Sequence, residues 1–202
     1  MNIQLCREEE KDFRTVENLT REAFWNVYKP GCDEHFVLHN LRNSQDFIRE
    51  LDFVAELDGT IVGNIVYSKG KIVNENGMEH EVICFGPISV LPSFQNKGIG
   101  KKLIEHTTKI AKDMGFKAIV IFGNSAYYHR FGFEAAEKFN IHTADGKNFD
   151  AFMVKELSEG NLQGVSGRFI DSEAFKVNND EFEMFDKSFP PKEKEVTDTQ
   201  LK

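Results

Sequence analysis

One stretch, from Ile83 to Gly115, constrains the fold more than any other part of the chain. It begins with an apolar, β-branched run from Ile83 to Val90, which predicts a buried strand. From about Gly98 the apolar residues recur at helical spacing, and Gly115 is a residue type that commonly ends a helix in the left-handed conformation. The stretch therefore predicts a strand, a tight turn and a helix in direct succession.

The corner between this strand and this helix, Gln95-Asn96-Lys97-Gly98-Ile99-Gly100, is where we expect ligand binding. The first turn of a helix has backbone N–H groups without partners in the helix, and the helix dipole adds positive potential there. Gly98 and Gly100 lack Cβ atoms, so a ligand can approach the backbone closely. Lys97 and Lys101 add positive charge. The corner therefore predicts a phosphate or pyrophosphate site.

Two familiar phosphate-binding patterns do not fit this corner. A P-loop needs Ser or Thr after its Gly-Lys pair, but Lys102 follows Gly100-Lys101, and Gln95 stands where the first glycine should be. A dinucleotide fingerprint needs a third glycine at the position of Leu103. What remains is Gln-x-x-Gly-x-Gly after a strand. The alternative is that this corner is simply a glycine-rich start of a helix that binds no ligand.

Composition argues against several classes of protein. The 202 residues suit one domain of ordinary size, and the hydrophobic content of 40% is enough for a core. The formal charge of −8 argues against a nucleic-acid partner, which would need a basic face. Three scattered cysteines, Cys6, Cys32 and Cys84, argue against a disulfide framework and a metal site. No signal segment and no apolar run of about 18 residues is present, so we expect a cytoplasmic protein without a membrane partner.

The rest of the chain predicts an antiparallel meander before the central stretch and one parallel strand after it. Asp58-Gly59 between two alternating runs indicates a tight hairpin. A strand, a crossover helix and a second strand imply a parallel pair. The predicted helices are Asp12–Tyr28, Glu34–Arg42, a short segment from Ser44 to Arg49, the helix from Gly98, and Ala126–Arg130. The predicted strands are Ile3–Leu5, Phe53–Leu57, Ile61–Val73, Glu81–Val90, Ala118–Phe122, Asn148–Leu157 and Arg168–Phe175.

This order of elements resembles the GNAT acyltransferase superfamily. Three segments carry the resemblance: Gln95 to Gly100, the preceding strand Phe85 to Val90, and Asn124-Ser125-Ala126-Tyr127-Tyr128-His129-Arg130-Phe131-Gly132-Phe133. The Tyr-Tyr-x-Arg-Phe-Gly-Phe form resembles a bacterial branch of the superfamily. The implied fold is α/β (α+β), with a mixed, mostly antiparallel central sheet, helices on both faces and a splayed parallel strand pair. We expect the acetyltransferase domain over residues 1–157, an extension packing on it over 158–185, and a disordered tail over 186–202.

The resemblance also implies an activity, the transfer of an acetyl group from acetyl-CoA to a primary amine by direct attack in a ternary complex. The acceptor would be a small amine or a peptide, and the protein a monomer or a homodimer without a metal. The alternative is a coenzyme-A-binding sensor that does not turn over. Carried over residue by residue, the cofactor-binding set would be Ile88, Ser89, Val90, Gln95, Asn96, Lys97, Gly98, Ile99, Gly100, Lys101, Asn124, Tyr127 and Phe131.

The catalytic residues that the resemblance implies are Tyr128 and Glu34. Tyr128 lies four residues before Gly132, where GNAT enzymes commonly place a tyrosine that protonates the coenzyme A thiolate. A phenol with a pKa of about 10 can donate that proton at neutral pH. Glu34, or Glu22, would deprotonate the acceptor ammonium. Plainer roles stay open: Tyr128 as a packing aromatic with Tyr127 as its rival, the two glutamates as surface residues, and Asn124 as a helix cap.

Overall fold

The structure, a computed structural model, describes residues 2–198 and 200. Predictions that concern Met1, Thr199, Leu201 and Lys202 lie outside the described residues. The described chain groups into two compact units. The first unit contains the residues up to Val66, Gly86–Leu103 and the residues from Glu173 onward, and the second contains Tyr67–Phe85 and Ile104–Ser172.

The helices are α1 (Phe13–Phe24), α2 (Glu34–Arg42), α3 (Ile99–Asp113), α4 (Ser125–Tyr128) and α5 (Asn179–Asp186). The strands are β1 (Ile3–Arg7), β2 (Phe53–Leu57), β3 (Thr60–Val73), β4 (Glu79–Val90), β5 (Ala118–Phe122), β6 (Glu134–Ala135), β7 (Ile141–His142), β8 (Phe152–Glu156) and β9 (Gly167–Ile170). The predicted strand–turn–helix of the central stretch is present as β4, a short turn and α3.

In the first unit the strands follow the order β1-β2-β3-β4, and β2 pairs antiparallel with both β1 and β3. The turn between β2 and β3 has Asp58 at φ +50° and Gly59 at φ +79°. Two successive residues with positive φ are characteristic of the type I′ turn that joins tight hairpins. The hairpin that Asp-Gly predicts is therefore confirmed.

The core of the first unit joins α1 and α2 to the sheet. Val16, Leu38, Val54 and Val66 belong to one buried cluster with neighbouring apolar residues. Gly86 on β4 lets α2 come close, because an added Cβ would lie 2.5 Å from Leu41 Cδ1. This packing explains why α1 and α2 have apolar stripes at helical spacing.

In the second unit β4 pairs parallel with β5 through Ile83↔Ile119 and Cys84↔Val120. β8 pairs antiparallel with β5 and with β6, and β9 pairs antiparallel with β3. The predicted mixed sheet with a parallel β4/β5 pair is confirmed. β7 and β9 form a further parallel pair that we did not predict, because a strand of two residues leaves no periodic signal.

One short prediction was wrong, and another was too long. A helix from Ser44 to Arg49 does not form, because Ser44 Oγ accepts a hydrogen bond from the Asp46 N–H (3.1 Å) and stabilises a turn. The predicted strand from Arg168 to Phe175 ends at Ile170 and is followed by a 3-10 turn, Glu173–Phe175. α5 was also missed, although Asn178 caps it by accepting from the N–H groups of Asp180 and Glu181.

The segment from Asp186 differs from the disordered tail that we expected. Up to residue 198 it runs along α1, with Phe189 buried and Asp186 hydrogen-bonded to Arg21. The composition of this segment is polar, but two of its charged residues have partners on α1: Asp186 pairs with Arg21, and Lys192 pairs with Glu22. Counting charges along the sequence does not reveal such long-range pairing. The domain boundary at residue 157 stays a prediction.

Candidate functional site

The corner between β4 and α3 has the backbone that a helix-entry anion site needs. After β4 the Leu91 N–H donates to the Val62 carbonyl (2.9 Å), and a short turn leads into the corner. Asn96 has φ +59° and Gly98 has φ +82°, so the chain turns sharply before α3. The Lys102 N–H donates to the Gly98 carbonyl (3.1 Å), which places the first turn of α3 just after Gly98.

Gly98 opens this corner to a ligand. A Cβ added at Gly98 would have no protein atom within 4 Å, and the residue is exposed. The space in front of its backbone is therefore available to a bulky anion. The preceding strand, the sharp bend and the start of a 15-residue helix together fit a pyrophosphate held by main-chain N–H groups.

Two of the polar side chains predicted to bind the cofactor stabilise the turn instead. Gln95 Nε2 donates to the Val90 carbonyl (3.1 Å). Lys97 Nζ donates to the Ser93 carbonyl (2.8 Å) and lies 5.1 Å from the centre of the Phe94 ring. The Gln95 backbone N–H is engaged as well, because it donates to the Pro92 carbonyl (3.3 Å). Of these two residues, Lys97 is therefore the one whose backbone N–H can be offered to an anion.

Ser89, near the end of β4, directs its side chain into the first unit. Its side chain is buried, and Ser89 Oγ donates to Thr20 Oγ1 (3.1 Å), which donates to Asn64 Oδ1 (3.3 Å). A cofactor could therefore contact Ser89 only through its main chain, as predicted for its neighbours Ile88 and Val90. The Val90 carbonyl already accepts from Gln95, so its N–H is the better candidate.

Thr20 and Asn64 were missed by sequence analysis. Both are fully buried, and Asn64 Nδ2 has no hydrogen-bond partner among the described residues. A buried amide without a partner is costly, so such groups are rare in folded proteins. The signal in the sequence is a polar residue inside an apolar pattern: Asn64 interrupts the strand run from Ile61, and Thr20 adjoins Leu19 on the buried stripe of α1.

Tyr128, in the second unit, is a packed aromatic. Only 9% of it is exposed, and its ring lies 5.7 Å from the rings of both Phe85 and Phe133. A Cβ added at Gly123 would lie 2.4 Å from Tyr128 Cε2. The glycine after β5 thus makes room for the tyrosine ring, which holds the phenol in one place.

The other residues of this segment that were predicted to bind the cofactor cap a helix or pack against neighbouring side chains. Asn124 Oδ1 accepts from the Ala126 N–H (3.0 Å), so Asn124 caps α4, as the plainer alternative expected. Tyr127 is half-buried beneath the Arg130 guanidinium, 4.8 Å from the ring centre. Burial raises the pKa of Tyr127, so its phenol stays protonated at neutral pH. Phe131 is buried with its ring 5.4 Å from that of Tyr127.

The two candidate bases differ in their surroundings. Glu34 is the first residue of α2, and its Oε2 accepts from the Asp33 N–H (3.1 Å). Burial raises the pKa of Glu34, and the charge of Asp33 adds to that effect. A carboxylate with a raised pKa is a stronger base near neutral pH. Glu22, in contrast, forms an ion pair with Lys192 (2.8 Å), which occupies its carboxylate.

Neither a metal cluster nor a membrane helix is found in the part of the chain that the structure describes. Residues 2–198 and 200 contain no group of three or more His, Cys, Asp or Glu side chains that could hold a metal ion. No helix among them is long and apolar enough to cross a bilayer.

The family comparison matches the corner and the strands around it. Residues 49–135 match the family model described as the acetyltransferase (GNAT) domain. This part of the chain is therefore similar to a GNAT acetyltransferase domain. The matched region includes both the β4–α3 corner and the segment around Tyr128.

Relatives of the GNAT domain agree with this assignment. The chain is 28% identical over 132 residues to the uncharacterized N-acetyltransferase YhbS of Escherichia coli K12, covering 65% of this chain and 76% of the relative. The crystal structure of YhbS in complex with CoA has a TM-score of 0.76, with 25% identity over 86% of this chain and 91% of that chain. A GNAT family acetyltransferase from Brucella melitensis in complex with acetyl-CoA has a TM-score of 0.69, with 27% identity over 87% and 99%. The predicted GNAT fold and N-acetyltransferase class are confirmed.

Proposed function

We propose that this protein transfers the acetyl group of acetyl-CoA to a primary amine by direct attack in a ternary complex. The observation that carries the proposal is the open backbone at Gly98, between β4 and the start of α3. A pyrophosphate fits there because helix N–H groups point at it and no side chain blocks it. The crystallised relatives that bind CoA and acetyl-CoA support the same choice of ligand.

The backbone of the corner would hold the diphosphate. We assign this contact to residues 95–101, with the N–H groups of residues 96–101 as the main donors. The pantetheine amides would pair with main-chain groups of Ile88, Ser89 and Val90. Asn124, Tyr127 and Phe131 would complete the contact with the pantetheine arm. No metal is required for this chemistry.

Glu34 and Tyr128 would carry the proton transfers. When bound, acetyl-CoA supplies an activated thioester. Glu34 accepts a proton from the acceptor ammonium, so that the amine nitrogen can form its bond with the acetyl carbon. Tyr128 donates its phenolic proton to the sulfur as the carbon–sulfur bond breaks, and the product leaves as a thiol. The amine nitrogen loses its second proton as the amide forms, and this proton restores the Tyr128 phenol. The two residues thus keep charge from building up on the amine and on the sulfur.

Two finer assignments accompany this proposal. We place the protein in the cytoplasm, in keeping with the free thiols of Cys6, Cys32 and Cys84. We also propose that the segment from Tyr127 to Phe133 marks a bacterial branch of the superfamily.

The decisive experiment is an acceptor screen. The pure protein is incubated with acetyl-CoA and a panel of polyamines, amino acids and lysine peptides, and the release of free thiol is followed. Thiol release that depends on any amine supports an acetyltransferase. Tight binding of coenzyme A without turnover on the whole panel would instead support a sensor.

A further inference from the structure

The C-terminal segment contains a short extended piece that the end of α1 holds by its main chain. Trp25 Nε1 donates to the Glu193 carbonyl (2.8 Å), and Asn26 Nδ2 donates to the same oxygen (3.2 Å). On the other side, Asn26 Oδ1 accepts from the Glu195 N–H (3.1 Å). The peptide groups before and after Lys194 are thus both fixed, in the way that peptide-binding surfaces hold an extended ligand.

Lys194, between these two contacts, lies along the loop that leads into α2. Its Cγ, Cδ and Cε atoms would be 3.4, 3.2 and 3.0 Å from a Cβ added at Gly31. Gly31 has φ +75°, and its N–H donates to Asn26 Oδ1 (2.7 Å). Asn26 therefore fixes both the loop and the main chain on which Lys194 is carried.

The ammonium of Lys194 is not committed to another group. It forms no hydrogen bond or ion pair with any residue from 2 to 198 or with residue 200. Lys192, two residues earlier, is paired with Glu22 (2.8 Å) and lies 5.4 Å from the Trp25 ring. Of the two lysines in this segment, Lys192 is therefore held in an ion pair, whereas Lys194 has no partner among the described residues.

The loop beneath Lys194 continues directly into Glu34, three residues after Gly31. A primary amine whose main chain is fixed next to such a loop has a high effective concentration there. We propose that Lys194 is an acetyl acceptor of this protein, modified in cis by its own GNAT domain. This inference rests on the proposed function and names one acceptor for it, a lysine that stands between two glutamates.

The reaction balances without a further reactant. The bond between Lys194 Nζ and the acetyl carbon forms, and the carbon–sulfur bond of acetyl-CoA breaks. The ammonium gives up two protons in all, one of which ends on the sulfur and one in solvent. The products are an acetylated Lys194, free coenzyme A thiol and one proton.

The test is site-resolved mass spectrometry of the full chain. The protein is incubated with acetyl-CoA without added amine, and the acetylated fraction of each lysine is followed in time. We expect Lys194 to be modified well ahead of Lys192 and of the exposed Lys147, at a fractional rate that does not change on dilution. Trp25→Phe removes the N–H that is bonded to the Glu193 carbonyl. It should lower the rate of Lys194 acetylation by roughly two- to tenfold, as expected for the loss of one hydrogen bond.

Control variants separate this inference from chemical acetylation and from the proposed function. Lys192→Arg should leave the modification of Lys194 unchanged, and Gly98→Val should abolish it. Equal labelling of all exposed lysines, or labelling that survives Gly98→Val, would overturn the inference. Turnover of added amines with an unmodified Lys194 would refute the inference alone, whereas no thiol release under any condition would refute the proposed function as well.

Discussion

Removing the carboxylate of Asp186 should destabilise the first unit strongly. Arg21, which is only 2% exposed, is paired with Asp186 at 2.7 Å across 165 positions of sequence. Asp186→Ala would leave this guanidinium buried without its anion, a change that typically costs about 3–5 kcal/mol. Arg21 Nη1 still donates to the Pro190 carbonyl (3.1 Å), and the guanidinium lies 4.1 Å from the Trp25 ring. We therefore expect the lower end, about 3 kcal/mol.

The measurement is denaturant and thermal unfolding. For a chain of this size, about 3 kcal/mol corresponds to a fall in Tm of roughly 6–12 °C. Glu183→Ala is the matched control, because Glu183 is exposed on the same helix α5 and should change the unfolding free energy by less than about 0.5 kcal/mol. If Asp186→Ala lowered the unfolding free energy no more than Glu183→Ala, the C-terminal segment would not be docked on α1. The disordered tail predicted from the sequence would then be correct.

Four further predictions concern the site and its surroundings. Gly98→Val should weaken coenzyme A binding more than about tenfold by calorimetry. The branched side chain fills the open space, and the positive φ, which costs Val about 1–2 kcal/mol, favours a different backbone conformation of the corner. Unchanged affinity would refute the diphosphate site. Tyr128→Phe should lower kcat by about a hundredfold or more with little change in coenzyme A affinity, since a general acid is lost; normal kcat would leave Tyr128 a packing residue. Glu34→Gln should remove the fall of kcat/KM at low pH. In the unmodified protein this fall would be set by the pKa of Glu34, which burial raises. If the fall at low pH were unchanged in the variant, Glu34 would be excluded as the base. Burial lowers the pKa of His35 from 6.5 to about 4, partly opposed by Asp186. Because the folded pKa lies below the unfolded one, the unfolding free energy should fall as the pH falls from about 6.5 to 4, and a His35→Gln variant should show a flatter profile over that window.

Most of the fold elements that could be predicted correctly depend on local sequence patterns. The Asp58-Gly59 hairpin depends on two positive φ angles within the turn itself, so neighbouring residues determine it. α3 and its glycine-rich entry likewise depend on residues a few positions apart. The strand–helix–strand order from Ile83 to Phe122 follows from apolar periodicity and from chain connectivity. These interactions act over short separations, which is why a single sequence displays them.

The role of individual polar residues followed only from the tertiary structure. Glu22 and Glu34 look alike in the sequence, but Glu22 is paired with Lys192, whereas Glu34 is half-buried at the start of α2 and has a raised pKa. Ser89 looked available to a cofactor until its hydroxyl was found to bond with Thr20. The surroundings of each of these side chains come from residues far away in the chain.

The sequence by itself determined the order of the longer helices and strands and the open corner at Gly98, because backbone preferences of glycine and apolar periodicity are local properties. Only the tertiary structure decided that the charged C-terminal segment lies on α1 and that Lys194 lies along Gly31. The physical reason is that an ion pair such as Arg21–Asp186 stabilises the fold only after two distant segments have come together, and composition does not record which charges will meet.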